Sequence, residues 1–169
     1  PPPARLGASM KIAVIGTGKI GGTLGGRWRA AGHEVVYGSR AGSGEGPGGA
    51  PLMAVGDALA GADVVVLAVP AGAVGGVVAA NGAALAGKVV IDAVNRIGES
   101  EVNSRAMVAA AAPDARYVRA FNTLGWENFA DPTVGAVSGD LVLESATGVL
   151  AGVGLYWRFE KWLRKNESL

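Results

Sequence analysis

The sequence predicts an α/β protein built around a parallel β-sheet. Short apolar stretches typical of buried strands recur along the chain and alternate with segments of helical character. The clearest strand is 63–69 (DVVVLAV), which Pro70 ends, and another is 88–92 (KVVID). This alternation favours a doubly wound parallel sheet with helices on both faces, in three α/β/α layers.

The first strand–turn–helix unit carries a recognisable motif. Residues 11–15 (KIAVI) predict a strand, and the next six residues follow the pattern G-x-G-x-x-G: Gly16, Thr17, Gly18, Lys19, Ile20 and Gly21. We expect Gly16 to make the tight turn, Gly18 to let a pyrophosphate approach the backbone, and Gly21 to let the helix pack closely on the sheet. Between a strand and a helix, the motif predicts a Rossmann-type dinucleotide-binding domain. The alternative, in a chain with 28 glycines, is a glycine-rich loop that binds nothing.

The residues after the second predicted strand, 34–37, indicate which dinucleotide is bound. An NAD-binding unit usually places Asp or Glu about 20 residues after the glycines, to bind the ribose 2′-hydroxyl. Here Gly38 is followed by Ser39 and Arg40. A carboxylate would repel a 2′-phosphate, whereas Ser39 can donate a hydrogen bond and Arg40 can form charge-assisted ones. The sequence therefore predicts NADP(H).

The remaining chain predicts further elements and a domain division. Glycine-rich residues 41–50 predict a flexible loop, with a short helix near 52–60. Helices are predicted at 71–87 and 103–112, and a strand at 116–120. The loop that follows contains Phe121, Trp126 and Phe129, which could line a site or cap the core. We expect a disordered leader at 1–9, an NADP-binding domain at 10–140 and a packed C-terminal helical segment at 141–169.

Composition argues against several other functions. Half of the 169 residues are apolar, 17% are charged and the net charge is +1, so nothing indicates electrostatic binding of nucleic acid. Cysteine is absent, and the single histidine, His33, is expected in a solvated turn, so no metal site is predicted. We recognise neither a signal peptide nor a membrane span, and we expect a cytoplasmic protein.

Five blocks of the sequence resemble the NADP reductases that depend on the deazaflavin coenzyme F420 and their bacterial relatives. The blocks cover 10–132 in order and read KIAVIGTGKIGGTLG, VYGSR, GADVVVLAVP, GKVVIDAVN and RYVRAFNTLGWENFADP. The glycine motif alone would fit many dehydrogenases. The combination of Ser39 and Arg40 with the last block is much more specific.

This resemblance implies roles by position. The pyrophosphate turn is matched by Thr17, Gly18, Lys19 and Ile20, and the 2′-phosphate site by Ser39 and Arg40. Loops lining the ribose and nicotinamide are matched by Val69, Pro70 and Asn95. The wall where the nicotinamide and deazaflavin rings meet is matched by Phe121, Asn122 and Trp126. No catalytic side chain is implied, because the cofactors carry the reactivity. Asp92 and Glu127 are nearby carboxylates, for which structural roles are expected.

The chain also departs from the family pattern. Residues 41–49 replace a fuller helix that often carries another basic residue, and Arg96 follows Asn95 where the family has proline. After Pro132 one strand–helix unit is missing. The expected function is hydride transfer between NADP(H) and F420 or a flavin-like acceptor. The alternative is an NADP(H)-binding module without catalysis. An imine or carbonyl reductase is less favoured, because the chain lacks room for a long helical dimerisation domain.

The expected partners are small molecules. The resemblance implies a small-molecule hydride donor or acceptor, and a homodimer formed through the C-terminal helices. No nucleic acid and no membrane is expected to bind.

Overall fold

A computed structural model describes residues 9–123 and 125–130, and it confirms the α/β fold. Seven strands form one sheet in the order β3-β4-β2-β1-β5-β6-β7. All adjacent pairs are parallel except β3 with β4. The order reverses at β1, which has β2 on one side and β5 on the other, and this is the switch point of a doubly wound sheet. The strands are β1 (Lys11–Ile15), β2 (Glu34–Ser39), β3 (Ser43–Glu45), β4 (Pro51–Ala54), β5 (Val64–Leu67), β6 (Val89–Asp92) and β7 (Arg116–Arg119).

Helices cover both faces of the sheet and give the expected three layers. The described helices are α1 (Lys19–Ala30), α2 (Val55–Ala60), α3 (Ala71–Leu85), α4 (Arg105–Ala111) and α5 (Trp126–Ala130). The apolar cluster on one face contains buried side chains of α2, α3 and α4, and the cluster on the other contains those of α1. The five predicted strands and the helices after the glycine motif, after Pro70 and before Pro113 are confirmed, with small shifts at their ends.

The central strands are buried on both faces, as their continuous apolar sequences predict. In β1, Ala13 and Ile15 belong to one core cluster while Ile12 and Val14 belong to the other. Trp28 of α1 is among the largest fully enclosed side chains. Burying side chains of this size stabilises the fold by about 1.5–3 kcal/mol each before the entropy cost of folding.

The segment after β2 is ordered, so the prediction of a flexible loop is wrong. Strands β3 and β4 form an antiparallel hairpin around a 3₁₀ turn at Pro47–Gly49, and β4 pairs with β2 before α2 begins. The phenol ring of Tyr37 lies beneath the hairpin, where a Cβ on Gly46 would come within 2.7 Å of its Cδ2 atom. Gly48 and Gly49 adopt positive φ angles of 64° and 73°, which glycine tolerates without strain. Here the glycines permit close packing.

His33 is not a fully solvated turn residue as expected. It is half-buried in the turn between α1 and β2, and its Nδ1 accepts a hydrogen bond of 3.3 Å from the N–H of Met10. The imidazole therefore ties the start of β1 to this turn.

Several predictions lie outside the described residues. These are the leader up to residue 8, the end of the NADP-binding domain, the helical segment at 141–169 and the dimer contacts attributed to it. Within 9–123 and 125–130, no helix has the length and apolar character needed to cross a membrane.

Candidate dinucleotide-binding site

The glycine turn lies at the switch point, between the ends of β2 and β5. The N–H of Gly16 donates a hydrogen bond of 3.1 Å to the carbonyl of Gly38, and the N–H of Ala68 donates one of 2.9 Å to Ile15. Gly16 has a φ of 114°, and a Cβ at this position would lie 2.3 Å from the carbonyl oxygen of Ala68. Only glycine fits this turn without displacing the backbone.

The N-terminus of α1 is open where an anion would bind. Gly18 is its N-cap and makes no side-chain capping bond, and a Cβ on Gly18 would meet no atom of the described residues within 4 Å, its chain neighbours aside. Within the described part of the chain, the N–H groups of Lys19, Ile20 and Gly21 have no hydrogen-bond partner. Gly21 lies close to the turn, since a Cβ there would be 2.3 Å from the carbonyl oxygen of Gly16. Unpaired N–H groups and the helix dipole both favour a phosphate here.

Ser39 and Arg40 lie immediately beyond the glycine turn. Because the Gly38 carbonyl accepts the N–H of Gly16, Ser39 at the end of β2 and Arg40 directly after it are at the same edge of the sheet. The Ser39 Oγ accepts a hydrogen bond of 3.1 Å from the N–H of Ala41, which leaves its own hydroxyl proton available for donation. Arg40 is exposed and forms no ion pair among the described residues. The Ser39 hydroxyl and the Arg40 guanidinium are suited to binding a phosphate monoester.

The loops after β5 and β6 run side by side at the same edge. The N–H of Ala93 donates to the carbonyl of Leu67 at 3.0 Å, which joins the ends of the two strands. Val69 is half-buried, Pro70 is the exposed N-cap of α3, and Asn95 is exposed. Residues 69, 70 and 95 therefore lie in loops that leave adjacent strand ends near the switch point.

The Asp92 carboxylate is committed to structural contacts. It is fully buried at the end of β6 and accepts hydrogen bonds from the Val94 N–H at 3.0 Å, the Ser104 N–H at 2.8 Å and the Tyr117 hydroxyl at 2.6 Å. Burial, together with the hydrogen bond to Asp92, raises the pKa of Tyr117 above its usual value. These contacts agree with the expected strand-end role for Asp92. Glu127 is exposed in the first turn of α5.

The aromatic loop after β7 contributes both to the core and to the site. Phe121 has a φ of 66°, a strained conformation for this residue, and its ring packs edge-on against Trp28 at 6.0 Å and Phe129 at 5.5 Å. These contacts make Phe121 a core cap. Asn122 instead donates from Nδ2 to the carbonyl of Val94 at 3.0 Å, and its buried Oδ1 has no partner among the described residues.

Trp126 contacts Lys19 of the glycine turn, although more than a hundred residues separate the two positions in the sequence. The Nζ atom of Lys19 is 4.7 Å from the centre of the Trp126 ring. Arg27 of α1 fixes the other end of α5, with Nε donating to the Phe129 carbonyl at 3.0 Å and Nη2 to the Ala130 carbonyl at 2.7 Å. The structure thus places an aromatic ring beside the Lys19 ammonium.

A protein-family model described as NADP oxidoreductase, coenzyme F420-dependent, matches residues 11–96, about half of the chain. The chain belongs to this family. It is accordingly an NADP-dependent oxidoreductase, and the geometry of the glycine turn and of Arg40 fits that dinucleotide. Ser39 and Arg40, the residues predicted to select NADP(H), both lie within the matched range.

Solved structures extend the likeness beyond the matched range. A proposed F420-dependent NADP-reductase from Arthrobacter sp. FB24 superimposes with a TM-score of 0.71 and 26% identity, covering 92% of this chain and 81% of that one. A hypothetical protein from Sinorhizobium meliloti gives a TM-score of 0.60 and 29% identity, covering 72% and 66%. A reductive aminase from Aspergillus terreus, in complex with NADPH, shares the fold at a TM-score of 0.53 and 24% identity, covering 66% and 40%. A comparison with curated proteins gave no match.

Within the part of the chain that the structure describes, no three His, Asp or Glu side chains lie close enough together to hold a metal ion.

Proposed function

We propose that this protein transfers a hydride between NADP(H) and the deazaflavin coenzyme F420 or a flavin-like acceptor. The observation that carries the dinucleotide part is the open N-terminus of α1, whose first N–H groups have no partner among the described residues, together with the exposed guanidinium of Arg40, which forms no ion pair with them. The acceptor part is supported by the family description and by the printed name of the Arthrobacter protein.

The phosphate groups of NADP(H) would be bound mainly by backbone and by Arg40. The pyrophosphate would accept hydrogen bonds from the N–H groups at the start of α1, beside Gly18, where none of the described side chains lies within 4 Å of an added Cβ. The 2′-phosphate would be bound by the Ser39 hydroxyl and the Arg40 guanidinium. Arg40 supplies the fixed charge, because no second Lys or Arg is present in residues 41–54.

The nicotinamide half would lie along the loops after β5 and β6. Val69, Pro70 and Asn95 line this part of the site, at the edge that doubly wound sheets use for ligands. Asn122 approaches from β7 and is anchored to the Val94 carbonyl. Trp126 offers a flat apolar surface to the ring system of the acceptor, and Lys19 holds it beside the turn.

The chain contributes alignment rather than acid–base chemistry. When bound, NADPH supplies a hydride that reduces the acceptor ring and leaves NADP⁺, and the further proton comes from water. Loops that hold the reacting carbons at about 3–3.5 Å account for most of the gain in rate. Asp92 takes no part, because its oxygens already accept hydrogen bonds from Val94, Ser104 and Tyr117.

An absorbance assay tests the proposal. The purified protein is mixed with NADPH and oxidised F420, and the loss of deazaflavin absorbance is followed, with FMN as a second acceptor and Gly18→Val as the matched variant with weakened NADPH binding. We expect NADPH-dependent bleaching by the wild type and much slower bleaching by the variant at the same low NADPH concentration. If NADPH binds but neither acceptor is reduced, the protein is an NADP(H)-binding module, the alternative that its 66% coverage of the Sinorhizobium protein and 40% of the aminase leave open.

A further inference from the structure

Arg96 places a guanidinium in the protein interior, immediately after the exposed Asn95. Its side chain is only 3% exposed. A buried guanidinium is stable only when its N–H groups donate hydrogen bonds to nearby acceptors, so the residues around Arg96 must supply those acceptors. Ile97, the next residue, is 93% exposed, and apolar packing therefore does not anchor this part of the loop.

The guanidinium contacts three separate segments. Its Nη1 pairs with the Glu99 carboxylate at 2.5 Å, within the same loop. Its Nε faces the Ser104 Oγ at 3.4 Å, and Nη2 lies 3.4 Å from the Met107 Sδ, both at the start of α4. Nη2 is also 3.4 Å from the carbonyl oxygen of Ala71, the first residue of α3. One planar group thus spans the loop after β6 and the starts of two helices.

These contacts join the two loops that border the switch point. Ala71 directly follows Pro70, and Arg96 directly follows Asn95. We propose that Arg96 is a positioning residue that holds Asn95 and Pro70 in a fixed relation and so shapes the nicotinamide half of the site. The proposal rests on the function proposed above.

The loop has a second anchor, which separates the role of Arg96 from a general role in folding. Asp92 accepts the N–H groups of Val94 and Ser104, and so holds both ends of the loop without Arg96. Arg96 instead fixes the middle of the loop. Its charged partner Glu99 is 43% exposed, so removing the guanidinium leaves that carboxylate in contact with water rather than buried and unpaired. Arg96→Met, which keeps much of the apolar stem, should therefore fold.

The test compares two ligands that share the adenosine half of the cofactor. Affinities for NADPH and for 2′,5′-ADP, which lacks the nicotinamide, are measured by calorimetry for the wild type, Arg96→Met and Arg105→Met. Arg105 is an exposed arginine on α4, so its variant makes the same change of charge nearby without disturbing the buried contacts. Melting temperatures are recorded in parallel.

We expect Arg96→Met to weaken NADPH binding by about tenfold, because one or two freed side chains must then be ordered when the ligand binds. Its affinity for 2′,5′-ADP should not change. Arg105→Met should bind both ligands as the wild type does. Arg96→Lys, which keeps the charge but has no planar fork, should show the same selective loss to a smaller extent. Equal losses of affinity for both ligands, or unchanged NADPH affinity in both Arg96 variants, would overturn the positioning role. A wild-type protein that binds neither ligand would instead refute the proposed function itself.

Discussion

Replacing Gly18 with valine tests whether the glycine turn binds phosphate through its backbone. Gly18 has φ −69° and ψ −175°, an extended conformation open to any residue, and apart from its chain neighbours no described residue has an atom within 4 Å of its added Cβ. The loss of a favourable N-cap should lower the free energy of unfolding by only about 1 kcal/mol. The valine side chain would instead fill the space in front of the N–H groups of Lys19 and Ile20.

The expected loss of affinity follows from those N–H groups. A hydrogen bond to a charged group contributes about 1.5–3 kcal/mol, so losing one weakens NADPH binding by about ten- to a hundredfold. Gly21→Ala is the matched control for stability, since its Cβ would lie 2.3 Å from the Gly16 carbonyl oxygen and 3.1 Å from Val14 Cγ1. Such overpacking costs about 1–3 kcal/mol of folding free energy.

Calorimetric titration with NADPH and urea unfolding measure the two effects. We expect Gly18→Val to lose affinity while largely retaining stability, and Gly21→Ala to lose more stability. Wild-type affinity in Gly18→Val would refute the role assigned to the turn.

Three further predictions concern other parts of the site. Arg40→Gln should weaken NADPH binding by about tenfold or more and leave NADH unaffected in parallel titrations, and an equal loss for both would contradict the 2′-phosphate assignment. Lys19→Met should remove the cation beside Trp126 and lower the free energy of unfolding in urea by about 0.5–1 kcal/mol. It should also change the tryptophan emission, but not in a Trp126→Phe background, and unchanged emission would argue against the contact. The raised pKa of Tyr117 means that its neutral phenol stabilises the fold, so this contribution is complete below about pH 10 and is lost as the pH rises further. Unfolding free energies measured up to about pH 11 should therefore fall more steeply for the wild type than for Tyr117→Phe, and equal slopes would refute this reasoning.

The sequence predicts the central part of the fold because its signals there are local. Strands β1, β5 and β6 are short apolar runs buried on both faces, and β1 ends directly before Gly16, the first residue of the glycine motif. Strand β5 ends at Leu67, two residues before the end predicted from Pro70. The spacing from the glycine motif to Ser39 and Arg40 follows from the length of one helix and one strand. Those residues therefore meet at the switch point as predicted.

Other features depend on contacts between distant parts of the chain. The β3–β4 hairpin has a glycine-rich sequence with little strand propensity, and it forms because β4 pairs with β2 over the Tyr37 ring. The contact between Lys19 and Trp126 joins the start of α1 to α5. Arg96 has the sequence signature of a surface residue, and its burial becomes evident only when α3 and α4 are placed around it.

We propose that the glycine turn binds NADP(H) and that Arg40 selects it over NAD(H). Calorimetric titration of the wild-type protein with NADPH and, separately, with NADH tests both assignments together. The structure predicts saturable binding of NADPH at least about tenfold tighter than that of NADH, because only NADPH presents a 2′-phosphate to the exposed guanidinium. Equal affinities, or no binding of either dinucleotide, would contradict it.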